Sequence, residues 1–447
     1  LPPGPRFAAL QTWLYARDPI GHLARCQRRY GDPFTVPTTA GPVVVAATPA
    51  LVREVFAADA DVFVPFAPHT VELFVGRGSL LVQAGAQHRE ARRRISPALH
   101  GEALRARGGE IRDVAVTSAR AWRPGRVFVL LDAARGVSRE LIVRAVLGLR
   151  DPRRIEALGR ALAAMLAAGT PALLFVPTLR RRIGGLGPFA RFARAQARVH
   201  ALLSAEIAAR RACPEGQDVL TTLLGELDDE TVRDELLTLL IAGHETTGVA
   251  LAWAVYWLLR SPTALARVLA ELDACDATPD ALARLPYLDA VCHEALRLGP
   301  VVSDVTRTLA RPLRLGGYDL PAGTSVAAAT ALLHTRSDLY PRPGEFRPER
   351  FLERRFGPCE HAPFGGGARR CPGAAFALYS LKIVLGTWLA RHTLRLAEPG
   401  DVAPARRNLV LGPSTGVRVV GFPRASRSTD DRRSLAAAKW PTSSRLL

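Results

Sequence analysis

Between residue 87 and about residue 389, apolar positions recur mainly at helical spacing, and the pattern is broken by Pro/Gly-rich stretches such as 169–188. Helical patterning also fills the chain up to Tyr30. After it, Phe34–Val36 and Val43–Ala46 read as two strands joined through Gly41-Pro42, an early hairpin. Residues 62–84, with Pro65, Pro68, Gly76 and Gly78, read as an irregular loop. A second small β region is predicted at Leu313–Leu315 and Tyr318–Leu320, turned by Gly316-Gly317, and then at Thr324–Ala328. The longest helix runs from about Glu230 to Arg260 and is stopped by Ser261-Pro262. Such a helix is roughly 45 Å long. From Leu236 onward it is apolar almost all round, so most of its faces are buried. The fold class is mainly α with small β-sheets. Residues 1–421 are expected to form one domain, and 422–447 a polar, flexible tail.

Composition narrows the chemistry. The chain has 447 residues, 48% of them hydrophobic, and a net charge of +19, which suits a large globular core. Arginine supplies nearly all the positive charge, since the only lysines are Lys382 and Lys439. A Walker phosphate loop needs a Gly-Lys-Ser/Thr step, and neither lysine sits in one. The arginines are scattered, without interleaved aromatics or a nucleic-acid motif, so an acidic partner protein is expected rather than nucleic acid. No unbroken apolar run is long enough to span a bilayer. Six cysteines without a Cys-x-x-Cys pair predict a reducing compartment and a cytoplasmic protein.

Four local patterns carry chemistry. Ala242-Gly-His-Glu-Thr-Thr-Gly248 interrupts the apolar central helix with poor helix formers and a carboxylate; it reads either as a functional break or as a packing notch for a neighbouring helix. Glu294 and Arg297 lie three apart on one helical face. Phe346-Arg-Pro-Glu-Arg-Phe351 reads as a charged turn. The fourth is Phe364-Gly-Gly-Gly-Ala-Arg-Arg-Cys371-Pro-Gly373, ahead of a helix. Its glycines allow close approach to a flat ligand, and Cys371 stands before a helix N-terminus that favours a thiolate able to ligate iron. An inert thiol, a zinc site using Cys359, His361 and Cys371, and a dinucleotide loop are the competing readings; the last two lack a fourth ligand and the required strand context.

In this order the four patterns resemble the cytochrome P450 family of haem-thiolate monooxygenases over roughly residues 1–421, and Phe364, Gly367, Arg369, Cys371 and Gly373 meet every fixed position of the Cys loop. The resemblance implies haem b held between the long central helix and the Cys-loop helix, with Cys371 as axial iron ligand and Phe364 beside its sulfur. It places Ala242 and Gly243 over the distal face and gives Thr246 and Glu245 the organisation of protons. His88, Arg92, Arg307 and Arg369 would bind the propionates. Glu294, Arg297 and Arg350 would form a structural ion-pair network. Leu237, Leu240, Ile241, Val301, Val302 and Asp304 would line the substrate pocket, together with residues 62–84 and the turn near Leu411–Thr415. Asp304 would either contact a polar group of the substrate or salt-bridge Arg307, and the salt bridge is the expected role.

The function implied is insertion of one oxygen atom from O2 into a lipid, terpenoid or polyketide-like molecule. Electrons would come from NAD(P)H through a separate acidic ferredoxin or flavodoxin, docking on the face that carries Arg89, Arg92, Arg93, Arg94, Arg369, Arg370 and Lys382, with Arg89 and Arg93 toward solvent. A soluble bacterial monomer is expected. The alternatives are a peroxide-driven or oxygen-independent haem-thiolate enzyme, and a non-catalytic haem-binding sensor.

Overall fold

The computed structural model describes residues 1–170, 173, 187–216, 218–407 and 410–424. The expected break at 169–188 and the expected tail therefore lie mostly outside the described residues.

The central helix spans Asp229–Arg260. Asp228 caps it by accepting the Thr231 N–H at 2.9 Å, and Asp229 and Glu230 place negative charge in its first turn. The helices Leu130–Leu147, Pro188–Ala212, Pro286–Leu298 and Ala374–Arg391 pack around it. By length and composition it is the one described helix that could cross a membrane, yet 72% of its apolar window is buried inside the molecule. Two glycines set its contact with Leu130–Leu147. A Cβ at Gly243 would lie 2.4 Å from Ile142, and one at Gly248 would lie 3.0 Å from the Arg135 backbone. The glycines of the Ala242–Gly248 segment thus form a packing notch, in which Gly243 fits against Ile142.

A five-stranded sheet sits beside this helical layer, in the order Phe34–Thr38, Gly41–Ala46, Ser325–Ala328, Val305–Leu309, Phe63–Pro65. The first two strands form the early hairpin, with Phe34 opposite Val45. The Gly316-Gly317 turn forms with both glycines at positive φ, and pairs Leu315 with Tyr318. Along the outer edge of the sheet, Thr35 donates its N–H to Pro3 O (2.9 Å) and its hydroxyl to Pro2 O (2.7 Å). Residues 62–84 are more regular than a loop. Phe63–Pro65 is an edge strand and Pro68–Val75 a helix, because Pro68 starts the helix with a preset φ and Gly76, at φ +84°, ends it.

Glu294, Arg297 and Arg350 join the helix Pro286–Leu298 to the segment that follows the sheet. Arg297 grips both Glu294 carboxylate oxygens (2.7 and 2.8 Å), and Arg350 Nε reaches Oε1 at 3.0 Å. The remaining guanidinium hydrogens go to the carbonyls of His334, Pro343, Pro341 and Glu345. All three side chains are buried, and each guanidinium nitrogen has an acceptor.

A second buried acid ties the central helix to the segment after Gly78. Glu235 is fully buried and accepts the Leu80 N–H at 3.1 Å. Burial, helped by neighbouring Asp234, lifts its carboxyl from 4.5 to about 7. Between those values the folded chain holds a proton that the unfolded chain has released. The site therefore favours the fold at the acidic end of the window, and that contribution is lost as the pH rises through about 7. In Glu235→Gln the fall in melting temperature between about pH 5 and about pH 8 should shrink, as read by thermal unfolding; an unchanged slope would show that other groups set it.

Candidate functional site

Cys371 lies on a loop folded against its own start, its N–H donating to Phe364 O at 3.0 Å. The loop leads into the helix Ala374–Arg391, for which Gly373 is the N-cap residue. Gly365 and Gly367 have φ of +66° and +63°. A Cβ at Gly366 would meet the Phe56 ring at 2.2 Å, and one at Gly367 the Phe56 carbonyl oxygen at 2.3 Å. These two glycines therefore allow the loop to press on Phe56. Phe364 is partly buried against the main core. Cys371 is exposed, and the protein crowded around its sulfur still raises the thiol above its ordinary range, with the Gly373 N–H, Arg92 and Arg370 opposing that shift. A metal cation held at this sulfur would favour the thiolate.

Beside the loop four basic side chains converge. His88 is buried on the helix Gly85–Ile95, and its ring is pushed down to about 4 by burial and by Arg369, Arg92, Arg307 and Arg89. Arg307 comes from the sheet strand Val305–Leu309 and donates to Gly366 O at 2.6 Å. Arg369 donates to Leu80 O (3.2 Å) and to Gln83 O, and Arg92 to Arg370 O. Burial and mutual repulsion lower Arg307 and Arg369 to about 10. Among the described residues none of the three arginines pairs with a carboxylate, and the buried Arg307 Nε has no partner at all. The cluster fits a ligand that brings its own carboxylates. The two propionates of haem meet that need, and Cys371 stands beside the cluster with a sulfur suited to its iron.

In the middle of the central helix, where most residues from 234 to 256 are buried, Ala242 is exposed and Ile241, Gly243, Glu245 and Thr246 are half-buried. The Thr246 hydroxyl donates to Ala242 O at 2.6 Å. Glu245 is tied to Arg135 at 2.9 Å, and no hydrogen bond joins it to Thr246 among the described residues. His244 is buried, with its ring lowered to about 4 by burial, Arg139 and Arg135, and is therefore neutral near pH 7.

A cavity of about 540 Å3 adjoins this stretch. Its described walls include Val36, Val43 and Val45 of the early hairpin, Phe66, Val71, Phe74 and Leu81 of the 62–84 segment, and Ile241 of the central helix. Of the six side chains expected there, Ile241 and Asp304 line it. Leu237 and Leu240 are fully buried in the main core, since the central helix is wrapped on those faces. Val302 points to solvent, Val301 is held by Leu411 N–H on its carbonyl (2.8 Å), and residues 411–415 are not among the described walls. Asp304 makes no bridge to Arg307. Its carboxylate accepts the hydroxyls of Tyr15 and Ser303 (2.6 Å each) and Thr306 (2.9 Å), while Arg307 donates to Gly366 O. Tyr15, Arg135 and Phe56 are the residues here that no local sequence pattern singles out; all three depend on contacts distant in the chain.

The family model for cytochrome P450 matches residues 2–418. The chain belongs to the cytochrome P450 family. It is therefore a haem-binding oxidoreductase of the monooxygenase class. Putative cytochrome P450 135B1 of Mycobacterium tuberculosis is 36% identical, covering 94% of this chain and 91% of the relative. Putative cytochrome P450 137 of the same organism is 35% identical over 93% and 90%. Among solved structures, retinoic acid-bound cyanobacterial CYP120A1 superposes with a TM-score of 0.84 at 25% identity, covering 95% of this chain and all of that one. The haem domain of cytochrome P450DA shares the fold at the same TM-score and 24% identity.

If Cys371 is the sulfur that holds this cytochrome P450's iron, Cys371→Ala should remove the red-shifted Soret band of the reduced, carbon monoxide-bound protein. Retention of the band in that variant would assign the ligand to another residue.

Proposed function

We propose that this P450 inserts one oxygen atom from O2 into a hydrophobic small molecule of lipid, terpenoid or polyketide type. The carrying observation is the mostly apolar cavity that runs from the early hairpin to Ile241, next to the helix opening at Ala242–Thr246. The retinoic acid bound to the cyanobacterial relative is a ligand of the same hydrophobic kind. The chain would work as a cytoplasmic monomer.

Haem held at Cys371 supplies the reductive activation of O2. The chain's own residues anchor, exclude water and handle protons. His88, Arg92, Arg307 and Arg369 bind the propionates through N–H donors that find no acid within the protein. Thr246 has committed its own hydrogen to Ala242 O, so its oxygen is left to accept a hydrogen bond from water in the cavity. Glu245, clasped by Arg135, is the proton-exchanging group one residue before it. The retained pair of Glu245 and Thr246 favours use of O2 over the peroxide-driven or oxygen-independent alternatives. Thr246→Ala should keep consuming NAD(P)H and O2 while releasing more hydrogen peroxide per product formed, as measured by coupled peroxide and product assays. Unchanged coupling would move the proton role elsewhere.

Electrons are delivered by a separate acidic ferredoxin or flavodoxin beside the Cys371 loop. Several basic groups near this face are already occupied: Arg89 pairs with Asp61 (2.9 Å), Arg93 with Glu90 (2.6 Å) and Lys382 with Asp289 (2.9 Å). Arg370, exposed and next to Cys371, carries no ion pair among the described residues and is the strongest docking contact. Arg370→Glu should slow reduction by such a donor at low salt more than Arg89→Glu does, and the gap should close as salt is raised. Equal rates for parent and both variants across a salt series would remove this face from docking.

A further inference from the structure

The cavity has one charged wall. Among its described lining residues, Asp304 is the only one with a carboxylate or a basic group; the others are apolar side chains, Tyr15 and several threonines. All three hydrogen bonds to that carboxylate come from neutral hydroxyls: Oδ1 accepts from Tyr15 and Ser303, and Oδ2 from Thr306. Oδ2 thus keeps an acceptor position unused by the described residues. The guanidinium groups of Arg307 and Arg406 make no hydrogen bond to this carboxylate among the described residues. Arg307 is bonded to Gly366 O, and Arg406 stacks on the Tyr15 ring with its centre 5.1 Å away while donating to the carbonyls of Ala16 and Tyr15.

A carboxylate facing an apolar cavity with only neutral donors is poorly compensated. A ligand that brings a cation there supplies the missing charge, while its hydrocarbon part covers Val36, Val43, Phe66, Val71 and Phe74. We propose that Asp304 makes this pocket selective for hydrophobic substrates bearing a cationic nitrogen. The inference rests on the reading of this cavity as the substrate pocket, and it makes Asp304 a specificity-determining residue rather than a mere tether. The tether is real, since the Tyr15–Asp304 bond ties the helix Ala8–Arg17 to the sheet. Asp304→Asn separates the two roles: the amide oxygen still accepts from Tyr15, but the charge is gone.

The test uses three probes of one hydrocarbon length on the purified holoenzyme: dodecyltrimethylammonium, dodecanol and dodecanoate, each below its micelle concentration. The quaternary nitrogen has no lone pair, so it cannot bind iron and mimic the effect. Calorimetric titration should give the cation at least about tenfold tighter binding than dodecanol, with dodecanoate weakest. Asp304→Asn should erase the preference for the cation and leave dodecanol binding unchanged. Tyr15→Phe should retain the preference, because it removes the tether and keeps the charge. Dodecanol binding without a cation preference in the parent, or a preference that survives Asp304→Asn, overturns the inference while leaving the pocket reading intact. Binding of none of the three overturns both.

Discussion

Positive charge with no negative charge beside it governs the centre of this molecule. His88, Arg92, Arg307 and Arg369 come from three separate parts of the chain and meet where no carboxylate of the described protein reaches them. Their N–H groups are only partly satisfied, by the carbonyls of Gly366, Leu80, Gln83 and Arg370. Holding the three arginine cations together, beside a His88 ring that they keep neutral, is unfavourable until an anion joins them. The surrounding elements serve that meeting: the sheet strand carries Arg307, the Gly85–Ile95 helix carries His88 and Arg92, and the glycine loop brings Arg369 in beside Cys371.

The same residue types play the opposite part around Glu294. There two arginines close on one carboxylate, carbonyls take up the remaining donors, and all three side chains are buried. Each guanidinium nitrogen of that cluster has an acceptor within the protein, so the cluster holds its parts together. Around Arg307 and Arg369 the described residues bring carbonyls but no carboxylate, and that missing negative charge suits the second cluster to an anionic ligand.

That distinction also explains what was legible in the sequence. The central helix, the early hairpin, the Gly316-Gly317 turn and the mainly α class follow from local periodicity and turn chemistry, and they form close to the predicted bounds. The Cys371 loop was legible because its residues are contiguous. The 62–84 segment was misread because its prolines and glycines bound a short strand and helix instead of dissolving them. Partners across the fold were not legible: nothing near Asp304 points to Tyr15, 289 residues away, and nothing near Glu245 points to Arg135.

The proline-rich start bears on how the molecule avoids its own copies. The outer strand Phe34–Thr38 would otherwise offer unpaired backbone groups to any passing strand. Residues 2 and 3 lie along it instead, accepting from Thr35, and a Cβ at Gly4 would meet Thr35 O at 1.9 Å, so the contact is close. Pro2, Pro3 and Pro5 have no N–H to extend a ladder outward. The segment that covers the edge is itself unable to template another strand, and the sheet ends there by chemistry as well as by position.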